Sequence, residues 1–381
     1  MTKRLLILGV LGLGLNACAT RIAEPLAGSV DVYTKHHKMR LSGAVIRAET
    51  DTLTKLKSYD DKILFDLAVD VSAQEDQARG RAIYVRLLGE FPESSLRIPA
   101  LFNLGLLYEA DSLFKEALEQ YLEIIDEPDP YDGANRQTWL DAYFRWAVCA
   151  AHMENWEDVA KAFQMLLAQP GLSDLEQLEA GVGLGIAYQN QKLYEDAEIM
   201  FQEVLSWYRE MKRYGAFNDR GFVAEAAFRL GQISAERFDL IVLAFPQEIL
   251  KKSLELKCAF LLQAQDRYLK ALRYGDIKTA ALVGLGIGEM YEKLHEMVVE
   301  LKAPQELNAE QRAVYEEVVE ERIRVLVKKA LYVYERSLLV GRRDPAAEPW
   351  VKELEEAVAR LRSAYRTPPD VEGKKDLEAG S

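Results

Sequence analysis

A short motif recurs along the chain, and this repetition limits the possible folds more than any other feature does. In two copies, a Leu-Gly pair and a Tyr three residues after the Gly precede an Ala, which lies 12 residues after the Gly, and an aromatic residue four positions later. The first copy contains Gly105 and Ala117, and the second contains Gly185 and Ala197. The spacing indicates two consecutive helices. Because a single helix pair cannot bury its apolar stripe alone, we expect neighbouring pairs to stack.

Two weaker copies accompany this pair. Between them, Ala147 stands at the position of the Gly, and Phe163 stands at the position of the aromatic residue. Upstream, Gly80 and Tyr84 match the small residue and the aromatic residue of a second helix. The first helix of that upstream copy is predicted over residues 62–73, so the repeat begins well before the clearest copies.

The last two copies carry insertions. The distance from the Gly to the Ala grows to 33 residues after Gly231 and to 42 residues after Gly288, with the added residues at 238–262 and 300–329. Leu, Glu, Lys and Ala dominate the chain, so we predict that these insertions are helical. Residues 348–363 carry apolar side chains at helical spacing and are predicted to form a capping helix.

The Leu-Gly pair, the Tyr, the small residue and the later aromatic residue resemble the motif of tetratricopeptide repeats. This resemblance implies an all-α fold, a tetratricopeptide-like solenoid of five to six helix pairs over residues 56–365, with helical insertions in the last two. The Gly is expected to let the partner helix approach closely. The aromatic residue of the second helix is expected to fill the gap between pairs.

The N-terminus resembles a bacterial lipoprotein signal. Lys3 and Arg4 precede an uncharged apolar run at residues 5–15, which is too short to span a bilayer. The run ends in Leu-Asn-Ala followed by Cys18. The resemblance implies a cleaved signal peptide over residues 1–17 and a lipid on Cys18. An Ala follows the Cys, where an Asp would argue for the inner membrane, so the outer membrane is favoured. The alternative is an ordinary signal peptide with a chance Cys.

Both ends of the chain are predicted to lie outside the repeats. Residues 18–55 are expected to form a lipidated tether, and residues 366–381, with two consecutive Pro and two consecutive Lys, a disordered tail. No later stretch offers 18 uncharged apolar residues. The lipid is therefore expected to hold the protein on the membrane without spanning it, with the repeats in the periplasm.

The C-terminal part carries a second set of motifs: Gln263-Ala264-x-x-x-Tyr268, Ile287-Gly288-x-x-Tyr291, Tyr334-Glu335-Arg336-Ser337-Leu338 and Trp350-Val351. Their order is similar to that in the C-terminal half of envelope lipoproteins from gliding δ-proteobacteria, which are built around tetratricopeptide repeats. This resemblance implies a scaffold within an outer-membrane and periplasmic motility complex.

Another resemblance leaves an alternative open. Tyr84-x-x-Leu87, the segment Phe91-Pro92-Glu93-Ser94 and the following Leu-Gly-x-x-Tyr are similar to the repeat lipoproteins of the outer-membrane β-barrel assembly machine. This resemblance implies an assembly factor for outer-membrane β-barrels or secretins. Both resemblances make envelope proteins the expected partners.

The charge of the chain excludes one class of partner. The formal net charge is -13, and removal of Lys3 and Arg4 with the signal makes it about -15. A surface this acidic argues against nucleic acid, which proteins bind through basic patches. We expect no nucleic acid, no cofactor and no small-molecule substrate.

No catalytic or metal-binding constellation stands out. His36 and His37 lack a third ligand nearby, and the zinc-like start at His295 has Val299 where a second His is needed. The glycines within 181–185 and 284–288 superficially resemble phosphate-binding loops, but they lie inside helix patterns, so we expect them to serve packing. The sequence therefore predicts a protein that is not an enzyme.

The first helices of the pairs are predicted to line a concave face that binds a partner. Aromatic residues occupy the position three residues before the Gly, or before its equivalent, in three of five repeats, which favours a row of anchors. The alternative is that these side chains pack against a neighbouring helix or against the inserted segment 238–254. The candidate groove residues are Phe102, Glu109, Phe144, Arg145, His152, Gln189, Asn190, Phe228 and Arg229.

Overall fold

The architecture is all helical over the residues that the structure, a computed structural model, describes. These are residues 59–74, 76–128, 133, 135–215, 220–275, 277–301, 303, 307–343 and 345–365. The predicted signal peptide, Cys18, the tether, His36-His37 and the C-terminal tail lie outside the described residues. Among the helices that are described, none is both long enough and apolar enough to cross a membrane.

Thirteen α-helices and one short 3-10 helix, Pro345–Ala347, make up this part of the chain. The α-helices are α1 Asp61–Ala73, α2 Gln77–Glu90, α3 Arg97–Ala110, α4 Phe114–Ile125, α5 Arg136–His152, α6 Trp156–Leu167, α7 Asp174–Asn190, α8 Tyr194–Tyr214, α9 Gly221–Asp239, α10 Gln247–Ala271, α11 Ile277–Val299, α12 Ala309–Gly341 and α13 Glu348–Tyr365.

The helices follow one another as six tetratricopeptide-like pairs, α1–α2 through α11–α12, with α13 after the last pair. This order confirms the predicted all-α fold of five to six pairs. It also confirms the helix predicted over 62–73, which is α1, and the helix predicted over 348–363, which is α13. Helices adjacent in sequence pack together within pairs, as α3 does with α4, and between pairs, as α4 does with α5.

The described residues divide into two compact units, 59–200 and 201–365, and the boundary falls within α8. Part of the core of the first unit is built around Leu64, Ile83, Tyr84 and Leu104, which are at most 2% exposed. The core of the second unit joins apolar side chains from α9 to α13 and includes Tyr268 and Tyr334, which are at most 2% exposed. Each unit therefore buries its own set of aromatic residues.

The turn between the helices of a pair has the same backbone form in three pairs of the first unit. Ser112, Glu154 and Lys192 have positive φ angles of 60°, 56° and 63°. Each lies seven residues after the Gly of its motif or the Ala that replaces it. In each turn the amide of the next residue donates to the carbonyl five positions back, at 2.9 Å, as Leu113 does to Tyr108. These bonds satisfy carbonyls at the end of the first helix and set where the second begins.

The two insertions are helical, as predicted, and they lengthen existing helices. The first adds the end of α9, a connection at residues 240–246 and the beginning of α10. The second follows the end of α11 at Val299 and adds much of the 33-residue α12. Contacts of α11 with α12, at Gly284 with Ser337 and at Gly288 with Tyr334, show that these two helices run antiparallel. The contacts between the Gly and the aromatic residue of the repeat are thus kept. The added residues lengthen the pairs at the end away from these contacts.

Candidate functional site

Close packing of glycine against an aromatic ring positions the first helix of a pair. A Cβ atom added to Gly105 would lie 2.6 Å from Cε1 of Tyr121 on the partner helix. Gly231 meets Tyr268 and Gly288 meets Tyr334 in the same way. Any larger residue would push these rings aside. The structure therefore confirms the predicted role of the Gly and shows that in these three contacts the aromatic ring packs within its own pair.

The phenylalanines predicted to be groove anchors pack against these same rings. Phe102 lies edge-on to Tyr121 with the ring centroids 5.7 Å apart, and the ring of Phe228 lies 5.3 Å from that of Tyr268. Phe102 is 3% exposed and Phe228 is 8% exposed. Both side chains are therefore part of the core, which is the packing alternative of the sequence analysis.

Phe144 differs from the other two phenylalanines because it is only half-buried. Its ring is edge-on to Phe163 on α6, at 6.0 Å between centroids. Half-buried apolar residues also stand one position after the Gly or its equivalent in α3 and α5, at Leu106 and Val148. Helices α3 and α5 thus keep some apolar surface at these positions.

Glu109 joins three successive helices of the first unit. Its carboxylate accepts a hydrogen bond from the hydroxyl of Tyr121 at 2.6 Å and one from Nε of Arg145 at 2.8 Å, and Nη2 of Arg145 donates to the second oxygen. The side chains of Arg145 and Glu109 are 18% and 9% exposed. The bidentate geometry fixes α5 relative to α3 and α4.

Glu292 makes the same set of bonds in the second unit. It accepts from the hydroxyl of Tyr334 at 3.1 Å and from Nε and Nη2 of Arg360 at 2.9 and 3.0 Å. Like Glu109, it lies four residues after the Gly of its motif. Helix α13 therefore presents Arg360 as α5 presents Arg145, so α13 occupies the place of a further first helix.

Small residues stand at both positions of this charged pair in two other steps. In the α5–α7 step the equivalent positions hold Ala151 and Gly183, and in the α9–α11 step they hold Ala235 and Gly286. Gly183 lies against the ring of Phe163, and a Cβ on Gly286 would lie 3.0 Å from Tyr268. These glycines are inside helices, which confirms the prediction that the two Gly-rich segments serve helix packing.

The other predicted groove residues do not form one cluster with Phe144. Gln189 is buried. Asn190 is exposed, and its side-chain amide donates to the carbonyl of Ile186 at 2.9 Å. Arg229 pairs with Glu225 one turn earlier on the same helix, at 2.5 Å. The structure brings Glu109 and Arg145 into direct contact, and Arg145 directly follows Phe144 in sequence.

His152 lies at the end of α5, where it forms a surface that sequence reasoning missed. Its exposed ring stacks on Phe114 at the start of α4, with the centroids 4.2 Å apart and an angle of 5° between the planes. The signal was present in the sequence, since an apolar residue adjoins each of the turns at Ser112, Glu154 and Lys192. Leu113, Met153 and Leu193 are 38%, 39% and 43% exposed.

The described residues offer no metal site and no activated nucleophile that we can identify. They hold no group of three or more His, Cys, Asp or Glu side chains placed to bind a metal ion. Burial raises the pKa of the Cys149 thiol to about 12, with nearby Arg145 lowering it by less. Burial also lowers the pKa of His295, which is 5% exposed. The Cys149 thiol and the His295 ring are therefore buried side chains that pack between helices.

A lysine is buried where the first insertion begins. Lys257 on α10 is 0% exposed, its Nζ donates to the carbonyl of Phe238 at 2.6 Å, and it lies 4.0 Å from the centroid of the Phe238 ring. Burial lowers its pKa from 10.5 to about 8, against the opposite and smaller effect of Asp239. Asp239 itself pairs with Lys293 of α11 at 2.7 Å.

Comparisons with known proteins add structures of low similarity. No protein-family model matches the chain, and no curated protein matches its sequence. A tetratricopeptide repeat protein from Parabacteroides merdae is 15% identical, with 79% of this chain and 98% of that chain covered and a TM-score of 0.43. A TPR repeats protein from Bacteroides fragilis is 13% identical, with 68% and 98% covered and a TM-score of 0.29. The assignment of tetratricopeptide-like pairs rests on the repeated Gly–aromatic packing of this chain itself.

Proposed function

We propose that this chain is a non-catalytic, lipid-anchored scaffold for protein–protein interaction in an outer-membrane and periplasmic complex. The observation that carries the proposal is the repeat of helix pairs, held in register by Gly–aromatic contacts and by the bonds of Glu109 and Glu292. Stacked pairs of this kind expose extended surfaces that bind other proteins. The resemblance to envelope lipoproteins of gliding bacteria makes a motility complex the first partner to test.

The lipid anchor is the part of the proposal that the N-terminal sequence supports. The charged start, the apolar run and Cys18 follow the order of a lipoprotein signal. Replacement of Cys18 by Ser is expected to move the protein from the outer-membrane fraction to the soluble periplasmic fraction. Unchanged fractionation of the C18S protein would contradict lipid anchoring and leave the scaffold role to be tested separately.

The surface proposed for the partner is the row of first helices in the first unit. Leu106, Phe144 and Val148 are half-buried apolar residues there, and Glu109 with Arg145 lies among them. Aromatic residues and arginine are enriched in protein interfaces relative to the rest of the surface. We therefore reduce the candidate groove residues to those around Phe144.

Site-specific photocrosslinking tests this surface. A photoreactive phenylalanine is placed at Leu106 or Val148 in the full chain, and crosslinks are made in intact cells before the outer membranes are purified. We expect both positions to capture a defined envelope protein. Met165 on the second helix α6, which is 36% exposed, serves as the matched control and should capture none. Equal capture at all three positions would contradict a groove along the first helices.

The same experiment separates the two roles that the sequence leaves open. Capture of motility-complex components supports the scaffold in gliding. Capture of barrel-assembly components supports the alternative, an assembly factor for outer-membrane β-barrels or secretins. The resemblance of segment 84–94 to the repeat lipoproteins of the barrel-assembly machine motivates this alternative. In that case loss of the protein should also lower the level of folded barrels in the outer membrane.

A further inference from the structure

Three successive turns of the first unit carry exposed and half-buried apolar side chains, and His152 is the predicted groove residue that lies among them. We call this surface the turn edge and define it as Leu113, Phe114, His152, Met153, Trp156 and Leu193. The stacked rings of Phe114 and His152 join the first turn to the second. The side-chain amide of Gln191, beside the third turn, donates to the backbone carbonyl of Trp156 at 2.9 Å. This bond joins the third turn to the second.

The composition of the turn edge is that of a binding surface. Its three aliphatic members are 38–43% exposed, Phe114 and Trp156 are half-buried, and His152 is exposed. Aromatic residues and methionine are enriched in interfaces relative to the remaining protein surface. Leu113 and Leu193 directly follow a residue with positive φ, and Met153 directly precedes one, so each of the three side chains adjoins one of these turns.

The charges around the turn edge are mostly negative, and this fixes the chemistry of the partner. Acidic residues outnumber lysines there, which favours a positively charged partner and disfavours an acidic one. The acidic residues are Asp111, Glu116, Glu154, Glu157, Asp158, Glu195 and Asp196, of which Asp111 is paired with Arg81, and the lysines are Lys115 and Lys192.

We propose that the turn edge docks a basic amphipathic helix of a partner protein. The apolar face of such a helix would cover the row from Leu113 through Met153 to Leu193, since apolar residues of a helix form one stripe. Its lysines and arginines would lie among the acidic residues of the turns. The proposal concerns a surface distinct from the groove around Phe144 and is independent of the lipid on Cys18.

A designed peptide tests the proposal on the purified chain. The probe is a fluorescein-labelled 18-residue peptide of Leu and Lys patterned as an amphipathic helix, and its binding is followed by fluorescence anisotropy. The comparison peptides have Glu in place of Lys, or the same Leu and Lys in shuffled order. We expect the patterned Leu/Lys peptide to bind at least about ten-fold more tightly than either, and to weaken as salt is added.

Two triple variants locate the site. The edge variant L113S/M153S/L193S should weaken binding by about ten-fold or more, because it removes the apolar row. The matched control V85S/M165S/I199S changes three apolar side chains on second helices of the same unit, which are 51%, 36% and 56% exposed. It should bind within about two-fold of the unchanged chain. The charge variant E154Q/E157Q/E195Q should weaken binding by about three-fold or more and reduce its salt dependence.

Several results would overturn the proposal. Unchanged affinity for the Leu/Lys peptide in the edge variant would do so, and so would an equal loss of affinity in the control variant. Loss of binding in L106S would show that the peptide binds in the groove. Tight binding of the Leu/Glu peptide would contradict the charge argument. Edge-dependent binding to phosphatidylcholine vesicles, or edge-dependent self-association in sedimentation, would replace the helix by a lipid surface or by a second copy. The crosslinking at Leu106 and Val148 tests the groove independently of all these outcomes.

Discussion

Glu109 holds Arg145 through both of its carboxylate oxygens, and the two residues come from the first helices of consecutive pairs. Tyr121, on the helix between them in sequence, donates to the same carboxylate. The ring of Tyr121 also covers Gly105. One acidic side chain therefore connects the contact inside a pair to the contact between pairs, and Glu292 does so again in the second unit.

Replacement of Glu109 by Gln should destabilise the chain. The change leaves the largely buried guanidinium of Arg145 without its counter-charge, which costs more than the loss of an exposed pair. We expect the free energy of unfolding in urea, followed by circular dichroism, to fall by about 2–3 kcal/mol. The control is E320Q, which breaks the exposed pair of Arg324 and Glu320 on one helix and should cost less than about 0.5 kcal/mol. Equal effects of the two variants would contradict the connecting role of Glu109.

Alanine at two glycines should change stability in opposite directions. Gly105 lies against Tyr121, so G105A forces the ring to move and should cost about 1–3 kcal/mol. Gly89 lies inside α2, and a Cβ there would meet no heavy atom within 4 Å. G89A should therefore stabilise the chain by about 0.5–1 kcal/mol, because Ala loses less backbone entropy than Gly in a helix. Thermal unfolding of both proteins measures the difference, and a destabilised G89A would contradict it.

The turn at Ser112 should accept glycine and reject a β-branched residue. Its φ of 60° costs free energy for any residue with a Cβ, most of all for Val. We expect S112G to stabilise the chain by up to about 1 kcal/mol and S112V to destabilise it by about 1–2 kcal/mol, as measured by thermal unfolding. A stabilising S112V would show that the left-handed turn is not adopted in solution.

Much of the fold could be predicted from the sequence because its cause is local. The 12-residue distance between Gly105 and Ala117 is a property of two helices and one turn, and the same spacing at Gly185 and Ala197 located a second pair. The helical character of the insertions also followed from composition. The contacts of α11 with α12 show that even a 42-residue distance leaves the pairing of Gly288 with the aromatic residue unchanged.

The candidate site was less predictable because exposure depends on packing across pairs. Phe102, Phe144 and Phe228 occupy equivalent positions in the sequence, yet Phe102 and Phe228 are buried and Phe144 is half-buried. The bond of Glu109 to Arg145 spans 36 residues, and no local pattern marks it. His152 was assigned to the groove, whereas its contact with Phe114 depends on how α4 and α5 meet. The repeat identifies equivalent residues, and the neighbouring helix decides which of them remain accessible.

The buried Lys257 should make stability depend on pH in the alkaline range. Its pKa is lowered by burial from 10.5 to about 8, so between these values the unfolded chain holds a proton that the folded chain has released. Stability therefore rises with pH through this window. Buried tyrosines act in the opposite sense above about pH 10, since burial raises the pKa of Tyr268 and Tyr291 and disfavours their ionised forms in the folded state.

The variant K257M isolates the lysine from the tyrosines, which both proteins share. The free energy of unfolding of the unchanged chain, minus that of K257M, should increase by about 2 kcal/mol between pH 7.5 and pH 9.5. Urea unfolding at a series of pH values measures this difference. K270M removes an exposed lysine from the same helix, where Lys270 pairs with Asp266, and serves as the control for the loss of a positive charge. A difference that stays constant with pH for K257M would show that Lys257 is hydrated in solution and does not bond to Phe238 in a dry site.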